Sequence, residues 1–383
     1  MTGTLTMDRV RSDVEVLSRA GLDVATFVAE VRTSLARAVP HVGACMCTVD
    51  PATHLLTGTF KFGDLYGNDA HDLLWGLIEY GGNDPTSFSR MFRDRRDSVG
   101  LHIETGGDVR SNDRMDQLIV PEYDYHDEIR LVARQGDLAW GGMALFRGDG
   151  DQRFSQAEVD FVAGLSTAYA AGIRIGLLAR VVGSPRSVGD AVVDSGPAVV
   201  IVDAADRIVQ VSVGATQLLA EMTSSANSAD ATGTLAALVA GARRYQLGVV
   251  DVLPRGRVRL PSGRWLVVNA SPLSSAHGRS GDVVITMEEA RPPEIVPLVV
   301  AAFGLTDRER DVTRLVLQGV DTKEIAATLN LSRYTVQDHL KSVFDKADVR
   351  SRRELVSRVF FDQYAPRLGD EVAPSGWFVD SSV

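Results

Sequence analysis

Apolar residues near the start of the chain recur every three or four positions in two blocks, before and after Gly21, which predicts two helices. Four runs downstream have strand-like patterns bounded by turn-forming residues, and they predict strands at 43–49, 55–62, 129–134 and 139–147. A long helix over 155–180 closes the region, with Ser155 and Glu158 as a predicted capping box. This order predicts an α+β domain over residues 10–180.

One segment of the closing helix is rich in small residues, namely Ala168, Ala170, Ala171, Gly172 and Gly176. Small side chains let a second helix approach closely. We therefore expect this helix to pack with the two N-terminal helices, either within one chain or across a dimer.

A second α+β domain is predicted over residues 188–290, after the Gly-, Ser- and Pro-containing interruption at 181–190. Its predicted strands are 198–202, 208–213, 257–260, 265–270 and 282–287, which should form a five-stranded antiparallel sheet. Its predicted helices, 216–222 and 235–245, flank a small polar segment at 223–234. Three prolines between 292 and 297 then predict a stiff Pro-rich linker over 291–304.

Four short amphipathic helices are predicted within residues 305–361, and a flexible tail is predicted over 362–383. Their expected N-cap residues are Thr306, Asp321, Ser332 and Ser351, each followed three residues later by a residue suited to a cap. Helices two and three are joined by a tight turn at Asn330–Ser332. Two short helices with such a turn are typical of a helix-turn-helix, whose second helix enters the DNA major groove.

Helical geometry places Val336, Leu340 and Val343 of the third helix on its inward face. The opposite face would meet DNA, where Gln337 suits adenine and Lys341 suits guanine or phosphate. The predicted DNA-contacting residues are Lys323, Ser332, Arg333, Tyr334, Thr335, Gln337, Asp338 and Lys341. The same pattern also fits a solvated surface of mixed charge, because acidic residues lie near Lys341 at helical spacing.

Charge sharpens this division of the chain. The 40 basic and 50 acidic residues give a formal charge of -10, which by itself argues against a nucleic-acid-binding surface. Residues 305–360, however, hold 11 basic and 9 acidic side chains and contain three of the four lysines, Lys323, Lys341 and Lys346. The rest of the chain is therefore acidic, and its last part is weakly basic.

Several classes of protein are excluded or disfavoured. No Gly-Lys pair is present, so a Walker-A nucleotide loop is excluded. No lysine lies between Lys61 and Lys323, as a phosphorylated receiver domain would require downstream of an acceptor such as Asp203. Neither a signal peptide nor an 18-residue apolar stretch is apparent, so we expect a cytoplasmic protein without membrane contact.

The two cysteines, Cys45 and Cys47, alternate along a predicted strand and so share one face. A thiol sensor or a metal site is conceivable there, but metal-ligand spacing is absent and buried cysteine is common in cores. No set of nucleophile, base and acid is apparent. We therefore expect no enzymatic activity, no cofactor and no metal.

The stretch Leu305–Val312, Gly319, Thr322–Ala327, Thr335–Phe344 and Val349–Val356 closely resembles the LuxR-type (NarL/FixJ) helix-turn-helix domain. The resemblance implies an all-α four-helix module that binds double-stranded DNA as a dimer. It also implies dimer contacts through the fourth helix, at Leu355, Val356 and Val359. Many members of the family have lysine where this chain has Gln337, so the resemblance does not carry a base preference.

The upstream regions resemble sensory domains more loosely. Asp50–Thr53 and the hairpin ending in Trp140–Arg147 are similar to a GAF domain, while Ala198–Asp203 and Gly263–Ser271 are similar to a PAS domain. Together these resemblances imply a multidomain, homodimeric transcription regulator in which the upstream domains sense a small molecule or mediate dimerisation. Two alternatives remain open: a protein-interaction scaffold, and a thiol- or metal-gated sensor with weak DNA affinity.

Overall fold

A computed structural model of the chain describes residues 2–82, 84–179, 197–223, 231–274 and 280–361, together with 371–372 and 378–379. Contacts divide the chain into two units, one containing both upstream regions and the other containing the residues from 290 onward. The protein is multidomain, with two α+β regions followed by an all-α module. This is the predicted fold class.

The first region surrounds an antiparallel sheet with the strand order β2-β1-β5-β4-β3. Its strands are β1 (Gly43–Val49), β2 (Leu56–Gly63), β3 (Ser98–Gly100), β4 (Tyr125–Gln135) and β5 (Leu138–Gly148). Its helices are α1 (Thr2–Leu17), α2 (Val24–Leu35), α3 (Asp72–Gly81), α4 (Phe88–Arg93), α5 (Leu101–Glu104), α6 (Val120–Tyr123), α7 (Gln156–Ala163) and α8 (Ser166–Leu178). The predicted helices and strands are all present, but α3 to α6 and β3 had no prediction.

The closing helix differs from its prediction because it is divided into α7 and α8, which are bent by 44° relative to each other. The Ser155–Glu158 capping box starts α7 as predicted. At the break, the Ser166 hydroxyl donates to the carbonyl of Val132 (2.7 Å) and accepts from the amide of Arg134 (3.1 Å). These bonds to strand β4 start α8 at a new angle.

The small residues of α8 pack against the N-terminal helices within one chain. A Cβ atom added at Gly172 would lie 2.0 Å from the Phe27 ring of α2, so only glycine fits there. Phe27 also stacks on Tyr169, with 5.6 Å between ring centroids. The intrachain form of the packing prediction is therefore the one the structure adopts.

The second region repeats the same strand order, β7-β6-β10-β9-β8, in a five-stranded antiparallel sheet, as predicted. Its strands are β6 (Ala198–Val202), β7 (Ile208–Val211), β8 (Arg255–Arg259), β9 (Trp265–Ser274) and β10 (Ser280–Glu289). Its helices are α9 (Val213–Met222) and α10 (Ala231–Gln246). Apolar residues from the sheet and α10 form one core.

The two α+β regions are packed together within one unit. Asp50 of the first region accepts hydrogen bonds from Arg257 of β8, at 2.6 Å (Oδ1 to Nη2) and 2.7 Å (Oδ2 to Nε). Gly76 of α3 meets α10 so closely that an added Cβ would lie 2.3 Å from the Cβ of Ala236. The division of this unit into domains 10–180 and 188–290 stays a prediction, and its boundary segment 181–190 lies outside the described residues.

The segment predicted as a Pro-rich linker contains helix α11 (Pro292–Ala302). Pro292 and Pro293 occupy the first turn, where a helix has no use for their missing amide hydrogens, so they are compatible with a helix start. The helix buries Ile295, Leu298 and Val299 and packs against residues 357–361. This segment is therefore part of the C-terminal unit's structure.

Of the predicted flexible tail, the structure describes only Glu371–Val372 and Phe378–Val379, which pair as antiparallel strands β11 and β12. The remainder lies outside the described residues. In the part of the chain that is described, no single helix is both long and apolar enough to cross a bilayer; only the bent pair α7 and α8 passes by length and composition.

Candidate nucleic-acid interface

The C-terminal module is built from α12 (Asp307–Leu317), α13 (Thr322–Leu329), α14 (Arg333–Lys346) and α15 (Arg352–Val356), followed by a helical turn over Ser357–Phe361. All four predicted N-caps are present, since the side chains of Thr306, Asp321, Ser332 and Ser351 each accept a hydrogen bond from the amide three residues ahead. The capping box of Thr306 and Glu309 is complete. The helix boundaries in this module therefore follow local sequence signals.

The turn between α13 and α14 spans Asn330–Ser332, as predicted. Asn330 adopts a left-handed conformation (φ 53°), which its short polar side chain tolerates, and this ends α13. Ser332 then starts α14 by accepting from the amide of Thr335 at 3.0 Å. The two short helices thus form a helix-turn-helix with α14 in the position of the recognition helix.

Helix α14 buries Val336, Leu340 and Val343 and turns its other faces to solvent. Of the eight predicted DNA-contacting residues, seven are exposed and Thr335 is half-buried. The side chain of Tyr334 is 84% exposed, which is unusual for a large aromatic residue and leaves its ring and hydroxyl free to reach a partner. The structure therefore places the predicted residues on one accessible surface, which we call the α14 face.

The cations of the α14 face are not neutralised by neighbours. Among the described residues, Lys323, Arg333 and Lys341 form no ion pair. Lys323 and Arg333 both lie near Asp321, whose pKa is lowered first by the amide of Glu324 and then by these two charges. Asp338 and Asp345 are exposed on the same helix but do not pair with Lys341.

Glu309 joins the first helix of the module to α14, a role that sequence reasoning missed. Its buried carboxylate accepts from the Thr306 amide (2.7 Å), the Ser342 hydroxyl (2.6 Å) and the Lys346 ammonium (2.6 Å). Burial alone would raise the pKa of Glu309, but the bonds from Lys346, Ser342 and Thr306 outweigh it and hold this pKa at about 2. The capping box pointed to Glu309 in the sequence, whereas the contacts 33 and 37 residues away had no local signal.

The predicted dimer contacts on the fourth helix need correction. Leu355 and Val359 are 0% and 1% exposed within a single chain, while Val356 is half-buried. The first two side chains fill the interior of this unit, where the turn following α15 packs on α11. Only Val356 of the three is accessible to a second copy in this arrangement.

The thiols have the properties of core residues. Cys47 is buried and Cys45 is half-buried, and burial raises the pKa of both, in Cys47 to about 12. A thiol that stays protonated is a poor nucleophile and a poor metal ligand. In the described ranges, no group of three or more His, Cys, Asp or Glu side chains is arranged to hold a metal ion.

Comparison with known families gives the same location for the module. Residues 304–359 match the family described as bacterial regulatory proteins, luxR family. Residues 304–359 are a LuxR-family domain. The match begins and ends within two residues of the predicted module boundaries, and it covers all eight residues of the α14 face.

Relatives align over the same part of the chain and share 36–39% of residues with it. The monoamine regulon transcriptional regulator of Klebsiella aerogenes is 36% identical over 92 residues, 21% of this chain and 40% of the relative. The transcriptional regulatory protein DesR of Bacillus subtilis is 39% identical over 67 residues, 17% of this chain and 34% of the relative. The chain thus spans less than half the length of these relatives.

Solved structures resemble the upstream part only weakly. A phage VqmA–DPO complex covers 44% of this chain and 82% of its own, with 18% identity and a TM-score of 0.24. The GAF domain of a phosphoenolpyruvate-protein phosphotransferase from Coxiella burnetii covers 44% of this chain and 93% of its own, with 15% identity and a TM-score of 0.29. The fold of the α+β regions is therefore described from their own strand order.

Proposed function

We propose that this chain is a transcription regulator that binds duplex DNA by inserting α14 into the major groove. The observation that carries the proposal is the α14 face, a set of exposed polar, aromatic and cationic side chains on the second helix of a helix-turn-helix. In this arrangement Gln337 and Lys341 face base edges, while Arg333 and Lys323 face the phosphates beside the groove.

The module's small positive charge is sufficient for this role if its cations are concentrated on one side. Lys323, Arg333 and Lys341 belong to the α14 face, whereas Lys346 is held by Glu309 and Arg310 pairs with Asp307. Hydrogen bonds from the amide groups at the start of α14 add to phosphate binding. The remaining acidic surface of the chain would repel DNA and limit binding to this face.

The proposed regulator acts as a homodimer in the cytoplasm, with paired half-sites about one helical turn of DNA apart. The two α+β regions are proposed to receive a small-molecule signal, and no catalytic role is assigned to them. Light scattering of the full chain tests the dimer directly. A monomer that nevertheless binds a two-half-site operator at micromolar concentration would contradict this part of the proposal.

The central experiment is a mobility-shift titration of the full chain on DNA from the region upstream of its own gene, repeated at several salt concentrations. Lys341→Ala should weaken binding and reduce the log-log salt slope by about 0.9, the value for one phosphate contact. Arg314→Ala is the matched control, since it removes an exposed cation from α12 and should leave the slope of the unmodified chain.

Equal losses in both variants would show that binding follows overall charge rather than the α14 face. If neither variant nor the unmodified chain shifts any DNA fragment at low salt, the proposal fails. That result would favour the protein-interaction scaffold, to which the exposed Asp338 and Asp345 are better suited.

A further inference from the structure

A concavity in the first region is lined by residues from both α+β regions. Its volume is about 610 Å³ with its open mouth included, within the range of small-molecule sites. Strands β1, β2, β4 and β5 form its floor, α3 and α4 form its roof, and Gly233 of α10 forms one side. The aromatic side chains Trp75, Tyr80 and Phe88 make its walls largely apolar.

The floor has small side chains in its centre and cations at its ends. The sheet register aligns Lys61, Cys45, Ala144 and Arg130 across four neighbouring strands. The two central residues are short, so they leave the space between the two long cationic side chains empty. A ligand lying on this floor would therefore have a positive charge at either end.

Lys61 is already occupied by protein groups. Its ammonium donates to the carbonyl of Asn68 (2.9 Å) and to the carboxylate of Asp69 (2.8 Å), and it also contacts Asp72. These partners raise the pKa of Lys61 despite the opposing effect of its burial. This end of the floor is electrostatically balanced without a ligand.

Arg130 has donors to spare. It is 1% exposed, its guanidinium lies 3.9 Å from the centre of the Phe88 ring, and Nη2 donates to Glu79 at 2.8 Å. In the described structure Nη1 is buried without a hydrogen-bond partner, and Nε has only Glu128 at 3.7 Å. A buried, unpaired donor on a charged group costs free energy, so an acceptor placed in the concavity would relieve it.

Burial alone would lower the pKa of Arg130, but Glu79 and Glu128 outweigh it and raise this pKa. Glu128 is also bound to Arg114, which is itself fully buried and bound to Asp84. The guanidinium is therefore charged and held in place. Such a donor is suited to an acceptor that is itself anionic.

Thr59 supplies a second polar group on the same floor. It is 8% exposed, and its hydroxyl has no hydrogen-bond partner within the described residues. Gly233 of α10 lies over it, and a Cβ atom added there would be only 3.2 Å from Thr59 Oγ1 and 3.0 Å from Leu56 Cδ2. The absence of a side chain at Gly233 keeps this part of the concavity open.

We propose that this concavity binds a small, mainly apolar carboxylate, with Arg130 Nη1 and the Thr59 hydroxyl donating to its oxygens and Trp75, Tyr80 and Phe88 enclosing its body. Because α10 completes the site, the ligand would contact both α+β regions at once. The inference rests on the sensory part of the proposed function, but it is tested without DNA, so either can fail alone.

Calorimetric titration of the full chain with benzoate, and with benzylamine as a ligand of similar size and opposite charge, tests the ligand class. Benzoate should bind and benzylamine should bind at least tenfold more weakly. Failure of benzoate to bind at millimolar concentration, or equal binding of both compounds, would overturn the proposal.

Three variants then test the location. Thr59→Val keeps the side chain's shape and should weaken benzoate binding about three- to tenfold, the value of one hydrogen bond. Arg130→Lys should weaken it tenfold or more, because the ammonium lacks the second guanidinium arm. Gly233→Leu should fill the space and abolish binding.

Thr59→Val is the variant least able to disturb folding, because it removes a hydroxyl that has no partner in the described structure. Circular dichroism and an unchanged thermal midpoint verify this for each variant. If folded Thr59→Val and folded Gly233→Leu both bind benzoate like the unmodified chain, the ligand lies elsewhere and the assignment is wrong.

Discussion

Replacing Glu309 tests whether α14 is held in position by its contact with α12. Glu309→Ala removes the capping-box acceptor for the Thr306 amide, a loss of about 1 kcal/mol. It also leaves Ser342 and Lys346 without their acceptor, and hydrogen bonds to charged groups contribute about 1.5–3 kcal/mol. Because Lys346 is partly exposed and recovers hydration, we expect a net loss of about 2–3 kcal/mol.

Glu309→Gln separates the two contributions. A glutamine can still accept from the Thr306 amide, as in a capping box, but it has no charge to pair with Lys346. We expect a loss of about 1–2 kcal/mol for this variant. Glu324→Gln is the matched control, because Glu324 also lies in the first turn of a helix but is exposed, and the change should stay within about 0.5 kcal/mol.

Hydrogen exchange measured by mass spectrometry on the full chain reports the opening free energy of α12 and α14 separately from the upstream unit. Every 1.4 kcal/mol corresponds to about a tenfold loss of protection, so Glu309→Ala should lose about 30- to 150-fold in peptides from both helices. DNA affinity should fall with it. Protection unchanged in α14 would refute the idea that Glu309 positions the recognition helix.

The pH dependence follows from the lowered pKa. Glu309 has a pKa of about 2 in the folded chain against an ordinary value of 4.5, so its stabilisation is complete above about pH 4.5. It is lost as the pH falls from about 4.5 toward 2, because the unfolded state then binds the proton more readily. Glu309→Gln should show a smaller loss of α14 protection over that interval than the unmodified chain.

Other predictions concern the upstream unit. Asp50→Ala should destabilise it by about 3 kcal/mol in urea denaturation, because Arg257 is left buried without its carboxylate, whereas Asp137→Ala, which removes an exposed pair with Arg95, should change stability little. Gly172→Ala should lower the thermal midpoint through overpacking against Phe27, at about 1–3 kcal/mol, while Gly150→Ala, with no neighbour within 4 Å, should not. Neither Cys45 nor Cys47 should react with iodoacetamide in the folded chain at pH 8, and both should react in urea; rapid labelling of the native protein would revive the thiol-sensor alternative.

Much of the C-terminal module was determined by the sequence alone. Its helices are bounded by local devices, such as the Ser332 cap and the left-handed Asn330, and these act over three or four residues. Its inward face follows from the spacing of Val336, Leu340 and Val343, which needs no knowledge of distant residues. The exposed α14 face follows from the same periodicity.

Local signals were weaker or misleading elsewhere. The short helices α3 to α6 lie in a stretch with no sustained periodicity, because helices of four to ten residues contain too few turns to show one. The prolines near residue 292 predicted a linker, but at a helix start they remove no hydrogen bond, and tertiary packing on residues 357–361 favours the helix. Leu355 and Val359 are apolar for the same reason, which is burial within the chain rather than contact with a second copy.

Only the tertiary structure decided which distant residues meet. Arg257 lies 207 residues after Asp50, and Lys346 lies 37 residues after Glu309, yet each forms an ion pair that joins separate elements. The concavity beside Arg130 likewise combines Thr59 with Gly233, which only the packing of α10 on the first region brings together. Local hydrogen bonding and periodicity can be read from neighbouring residues, whereas a pocket depends on how whole elements pack, and that packing is not encoded in any one segment.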